Sequence, residues 1–138
     1  MTDVSIYNAL NTSIKNKLSG GTALVTALGG TAIYYGQAPD QAALPYVIWS
    51  YQYGAPENIT PHEMSVQLAY VRAYASGAAQ AGTIDGLICG LLHKEELSVV
   101  GWNNFWLARE TEIALPQTDS AGVTTWTAGA FYRVRLDT

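Results

Sequence analysis

Charge is scarce in this sequence. Lysine and arginine number 7 and aspartate and glutamate 11 in 138 residues, 13% in all, about half the share of an average soluble domain. So few cations, in a chain of net charge −4, exclude a protein that grips nucleic acid, because that affinity comes from clustered Lys and Arg on phosphates. The single cysteine, Cys89, excludes an intramolecular disulfide and a thiolate metal cage. Only two histidines are present, and neither His62 nor His93 has a second ligand at the spacing of a zinc motif. No metal and no cofactor is expected. The apolar run at residues 87–92 is far shorter than the roughly 20 residues that cross a bilayer. The first residues lack the basic flank and apolar stretch of a secretory signal, so the expectation is a protein without membrane spans whose mature chain starts at Met1.

What the chain does have is apolar and aromatic surface, 49% hydrophobic and 11% aromatic. With little charge to protect the exterior, uncharged polar residues or partner subunits must cover it. The length fits one domain, roughly 100–200 residues being usual, and no internal repeat or low-complexity tract divides it.

Asp3 is a good helix N-cap, and Val4, Tyr7, Leu10, Ile14 and Leu18 recur at helical spacing, which predicts an amphipathic first helix. Gly20 and Gly21 stop it, and residues 22–28 add a further turn or two before Gly29 and Gly30. A strand is predicted over 31–35. A loop bounded by Pro39 and Pro45 leads to a second strand in which Val47, Trp49, Tyr51 and Tyr53 share one face. Residues 54–61 read as a loop and 64–74 as a third strand. Ser76 caps a second main helix, in which Gly82, Gly86 and Gly90 recur at spacing four; they offer a smooth ridge for close packing on the sheet. Strands follow at 97–100 and 105–114, then a loop at 115–123, then a last strand over 124–136 with a break or bulge near Gly129. This order predicts an α+β domain: an antiparallel-rich or mixed sheet with two helices packed on one face.

No residue pattern demands catalysis. Cys89 sits among Ile88, Gly90, Leu91 and Leu92 and reads as a packed thiol. Glu110 and Glu112, two apart on a strand, point the same way and could serve acid–base chemistry. Arg109 faces the opposite way, and Arg133 and Arg135 repeat the same-face pattern, so cross-strand charge pairing with Glu110 and Glu112 is the favoured reading. Trp49, Tyr51 and Tyr53 could stack on single-stranded nucleic acid, but the basic groove such platforms need is missing. Core and interface packing accounts for them better.

The opening helix, the glycine break, Ile33-Tyr34-Tyr35-Gly36-Gln37-Ala38-Pro39, the Leu44-Pro45-Tyr46-Val47 segment, the strand over 66–74, the Ser76 helix and the closing Tyr132-Arg133-Val134 strand together resemble the tail-completion proteins of long-tailed bacteriophages. The resemblance implies a structural virion protein without enzymatic activity. It implies a homo-oligomeric ring, usually a hexamer, at the head-proximal end of the tail tube, which ends tube polymerisation and joins the tail to the neck. The implied partners are further copies of the chain, the tail tube protein and a neck or head-completion protein, with DNA passing through the lumen without specific binding. Assembly would take place in the host cytoplasm.

On this reading the candidates for subunit contact are Trp49, Tyr51, Tyr53, Arg109, Glu110, Glu112, Trp126, Arg133 and Arg135. Contacts between successive rings fall to the loops at 54–63 and 115–125, with Pro56, Glu57, Asn58, His62, Gln117 and Asp119 as candidates. The alternative is a monomeric small-molecule or peptide-binding module whose sheet aromatics line a pocket.

Overall fold

The computed structural model describes residues 5–57 and 63–138. Asp3, Val4, Asn58, Pro61 and His62 lie outside the described residues. Helix α1 (Ile6–Ser19) follows Ser5 and buries Ala9, Leu10, Ser13, Ile14 and Leu18, the three- and four-residue spacing of one helical stripe. Tyr7, expected on that stripe, is 41% exposed. Helix α2 (Thr22–Leu28) ends on Gly29 at φ 74°, a left-handed cap that glycine adopts without steric cost. Helix α3 (Ala78–Leu92) starts after Gly77 rather than Ser76 and buries Ala81, Ile84, Ile88 and Leu92.

The strands are β1 (Ile33–Tyr35), β2 (Tyr46–Pro56), β3 (Met64–Ala75), β4 (Ser98–Val99), β5 (Trp102–Thr118) and β6 (Thr124–Asp137). They form one six-stranded sheet in the order β1-β2-β3-β6-β5-β4. β1 lies parallel to β2 and the other pairs are antiparallel, so the domain is α+β, with a mixed sheet and three helices among the described residues. The connection from β1 to β2 includes a cis Leu44–Pro45 peptide.

The core unites Leu10, Ile14, Leu18, Leu24, Ile84, Ile88 and Leu92 of the helices with Val47, Trp49, Ala69, Val71, Ala73, Leu107, Ala130, Tyr132, Val134 and Leu136 of the strands. Along β3 and β6 the buried residues alternate with part-exposed ones, the period-two signature of a sheet buried more on one face.

Several sequence expectations change. Gly129 causes no bulge: it stays in register with Arg72 and Ile113. An added Cβ there would lie 2.5 Å from the Val71 carbonyl oxygen and 2.6 Å from the Arg72 Cα, so glycine permits close approach of neighbouring backbones. The register shifts fall instead between Tyr51 and Tyr53 on β2, and between Asn104 and Trp106 and Arg109 and Glu112 on β5. Gly82, Gly86 and Gly90 do not pack on the sheet; they are exposed, and nothing lies within 4 Å of a Cβ added at any of them. Residues 115–118 continue β5 instead of forming a loop, so the β5–β6 connection is a short turn at 119–123.

Candidate assembly interface

The bulges decide where the candidate side chains go. One extra residue in a strand reverses the facing of everything beyond it. Trp49 and Tyr51 stay on the core side, where the Trp49 indole N–H donates to Asn11 Oδ1 at 3.2 Å and the Tyr51 hydroxyl donates to the same oxygen. Trp49 is only 3% exposed, so its surface is spent inside the chain. Beyond the bulge Tyr53 pairs with Leu68 on the opposite face and is 52% exposed. The expectation that Tyr53 shares a face with Trp49 and Tyr51 is thereby overturned.

The same logic separates the two glutamates. Glu110 lies with Arg133, whose Nε and Nη2 donate to its carboxylate at 2.7 Å and 3.1 Å. That hydrogen bond holds the Glu110 carboxyl below its ordinary range. Glu112, past the bulge, meets Arg109 at 3.3 Å instead. Expected cross-strand pairing is thus found for Glu110, whereas Glu112 pairs within its own strand. Arg109 donates both Nη atoms to the Asp85 carboxylate of α3, at 3.0 Å and 2.6 Å, and Nη1 also to the Tyr132 hydroxyl at 3.0 Å. The bond to Asp85 raises the guanidinium pKa further, and burial pushes the Tyr132 phenol up to about 12. With the carboxylates split between two faces, paired acid–base chemistry has no geometry.

Opposite the core, the sheet carries an aromatic and arginine ladder that the sequence candidates only partly include. Tyr70 stacks on Phe131 with centroids 4.6 Å apart. The Arg72 guanidinium lies 4.4 Å from the centre of the Tyr70 ring and donates to Ser50 Oγ and the Tyr74 hydroxyl. Tyr46 packs against Tyr74, and Arg135 lies over Trp106, itself 51% exposed. The alternation Tyr70-Arg72-Tyr74 on β3 was the signal for this face.

The remaining candidates are dispersed. Trp126 packs partly buried against Ala75, Ala81 and Ala128. Pro56 is in β2 opposite Ser65 and Gln117 is in β5 opposite Thr125, so neither is in a loop, while Glu57 is exposed just past β2. Asp119 organises the turn at 119–123, its Oδ1 accepting from the Ala121 and Val123 amides. His93 caps α3, and its Nδ1 accepts the Arg109 amide at 2.9 Å. Cys89 is part-exposed and lines a shallow 420 Å³ groove with Gly82, Asp85, Gly86, His93, Arg109 and Glu112. A groove of 740 Å³ runs beside Phe105 and Trp106. Among the described residues no group of three or more His, Cys, Asp or Glu could hold a metal, and no helix is long and apolar enough to cross a membrane.

The family model of the tail completion protein gp17 matches residues 13–138. This chain belongs to the tail completion protein family. It is therefore a structural component of a bacteriophage virion, with a place in the tail. A chain from the virion of a native gene transfer agent particle aligns with this tail-completion protein at TM-score 0.80 and 18% identity, over 99% of this chain and 100% of that one. A second solved chain aligns at TM-score 0.53 and 14% identity, over 93% and 94% respectively. At such identities these likenesses show the shared fold. No curated protein matches the tail-completion chain.

Proposed function

We propose that this protein closes into a ring of identical subunits, six in number, at the head-proximal end of a phage tail tube. There it ends tube polymerisation and presents a surface to the neck. The observation that carries the reading is the sheet face opposite the core, where Tyr53, Trp106 and Arg135 stand exposed beside the Tyr70–Phe131 stack and the Arg133–Glu110 pair. A ring needs a heterologous contact that closes on itself, and aromatic and arginine residues are those enriched in contact surfaces. In this reading the helices gather on one side of the sheet and leave the other for contact.

The net charge of −4 suits a lumen through which DNA slides, because phosphates are repelled rather than paired. Glu57 and the turn carrying Asp119, at the ends of strands, are the segments placed to meet the next ring. The test is to add the purified protein to growing tail tubes. The reading expects tubes to stop at the length they have on addition; growth at the unsupplemented rate would contradict it.

A further inference from the structure

The sheet ends in two half-covered strands. β4 covers only Trp102 and Asn103 of β5, and the Lys94 amide and the His93 ring cap β5 at the Leu107 carbonyl and the Arg109 amide. Beyond Arg109, no described residue pairs with the outer side of β5 along residues 112–118. At the other end β1 covers Val47, Ile48 and Trp49 of β2, and the Gly36 amide closes on the Trp49 carbonyl. The outer side of residues 51–56 is again without a described partner strand. The edge of β1 itself is blunted, since the Lys15 ammonium donates to the Ile33 carbonyl.

Each free run holds one proline at a place an open edge tolerates. The Asp119 amide donates to the Val123 carbonyl, so the odd-numbered residues of this part of β5 bond to β6 and the even-numbered ones turn outward. Pro116, opposite Trp126, therefore turns its donor-less nitrogen outward. The Glu57 amide donates to the Met64 carbonyl, which by the same alternation turns Pro56 and Gly54 outward on β2. A long uncovered edge is ordinarily blunted or covered; here the outward positions of residues 112 and 114 retain full donor and acceptor capacity.

The geometry points to an intersubunit sheet, in which residues 112–118 of β5 pair antiparallel with residues 51–56 of β2 from a second copy of this chain. Three observations select that occupant. In the order β2-β3-β6-β5 every pairing is antiparallel, so β2 and β5 run in opposite directions and a rotation that carries the sheet onward brings them together antiparallel. Leu115 and Tyr53, 45% and 52% exposed, flank the two runs on the same face of the sheet. Beside the β2 run a groove of 360 Å³ is lined by Gln67 and Trp102, whose buried Oε1 and Nε1 atoms have no hydrogen-bond partner among the described residues. Buried polar atoms without partners are costly, and a neighbour crossing this edge supplies them.

This inference rests on the ring reading, and the experiment separates the two. Ala114→Pro removes an outward amide without touching the β5–β6 ladder, so the variant is expected to fold as the wild type does by circular dichroism. It is expected to lose rings under electron microscopy, both alone and on tail tubes. Rings formed by Ala114→Pro as by the wild type overturn the edge pairing and leave the ring standing; absence of rings from the wild type overturns both. Should Ala114→Pro fail to fold, cross-linking decides. In a Cys89→Ser background, proteins carrying only Leu115→Cys or only Tyr53→Cys are expected to form disulfides when mixed. Dimers formed by Leu115→Cys alone, with none to Tyr53→Cys, would mean a two-fold β5–β5 contact and overturn the proposal.

Discussion

Arg109 on β5 and Asp85 on α3 form a two-pronged ion pair, with Nη1–Oδ1 at 3.0 Å and Nη2–Oδ2 at 2.6 Å. Their side chains are only 11% and 15% exposed, so the pair fastens the helix to the strand just before the Arg109/Glu112 bulge. Asp85→Ala leaves Arg109 with the Tyr132 hydroxyl and Glu112, whose side chain is 70% exposed. We expect a loss of about 3 kcal/mol, the scale for removing one partner of a buried pair, read as a lowered midpoint in urea unfolding. Asp85→Leu combined with Arg109→Met should lose clearly less, because no buried charge is then left unpaired.

The Glu110–Arg133 pair lies closer to water, with side chains 29% exposed for Arg133 and 38% for Glu110. Its contribution is expected to be below about 1 kcal/mol. The folded pKa of Glu110 is lowered by the hydrogen bond from Arg133, so its stabilisation is present above the ordinary carboxylate value and is lost as pH falls through the folded one. Glu110→Gln should therefore be slightly less stable than the wild type at neutral pH. The two melting curves should converge only as the pH falls through the lowered Glu110 value, beneath the ordinary carboxylate range.

Tyr132 gives the opposite window. Burial raises its pKa to about 12, and Tyr51 is raised for the same leading reason. On raising the pH, the unfolded chain loses these protons first, so their stabilisation is intact below about pH 10 and declines above it. In a spectrophotometric titration near pH 11 the native protein should show at least two fewer tyrosinates than its nine tyrosines allow. Denaturant should release the difference.

Two glycines should respond in opposite directions. Gly129→Ala places a methyl 2.5 Å from the Val71 carbonyl oxygen and should cost at least about 2 kcal/mol, as overpacking against backbone does. Gly86→Ala, where nothing lies within 4 Å, should stabilise the isolated chain by up to about 1 kcal/mol through helix propensity. Thermal melts of both variants check the pair.

Much of the fold is written in periodicity. The spacing of Leu10, Ile14 and Leu18, and the alternation along β3, place those elements from the sequence alone. The bulges leave no such trace. Val47, Trp49, Tyr51 and Tyr53 alternate evenly in sequence, yet the register shift after Tyr51 sends Tyr53 to the other face. Glu110 and Glu112 are parted in the same way. The glycine spacing of α3 indicated a smooth ridge but not which way it faces, since that depends on the helix's rotation about its axis. The face bearing Arg72, Tyr70 and Phe131 was legible only in part, because Phe131 is on a strand remote in sequence from Tyr70.

The most direct measurement is electron microscopy of assembled virions bearing a small tag on this protein. The account predicts one ring of six tags where the tail tube meets the neck. Tags spread along the tube, gathered at its far tip, or present as single copies would contradict it.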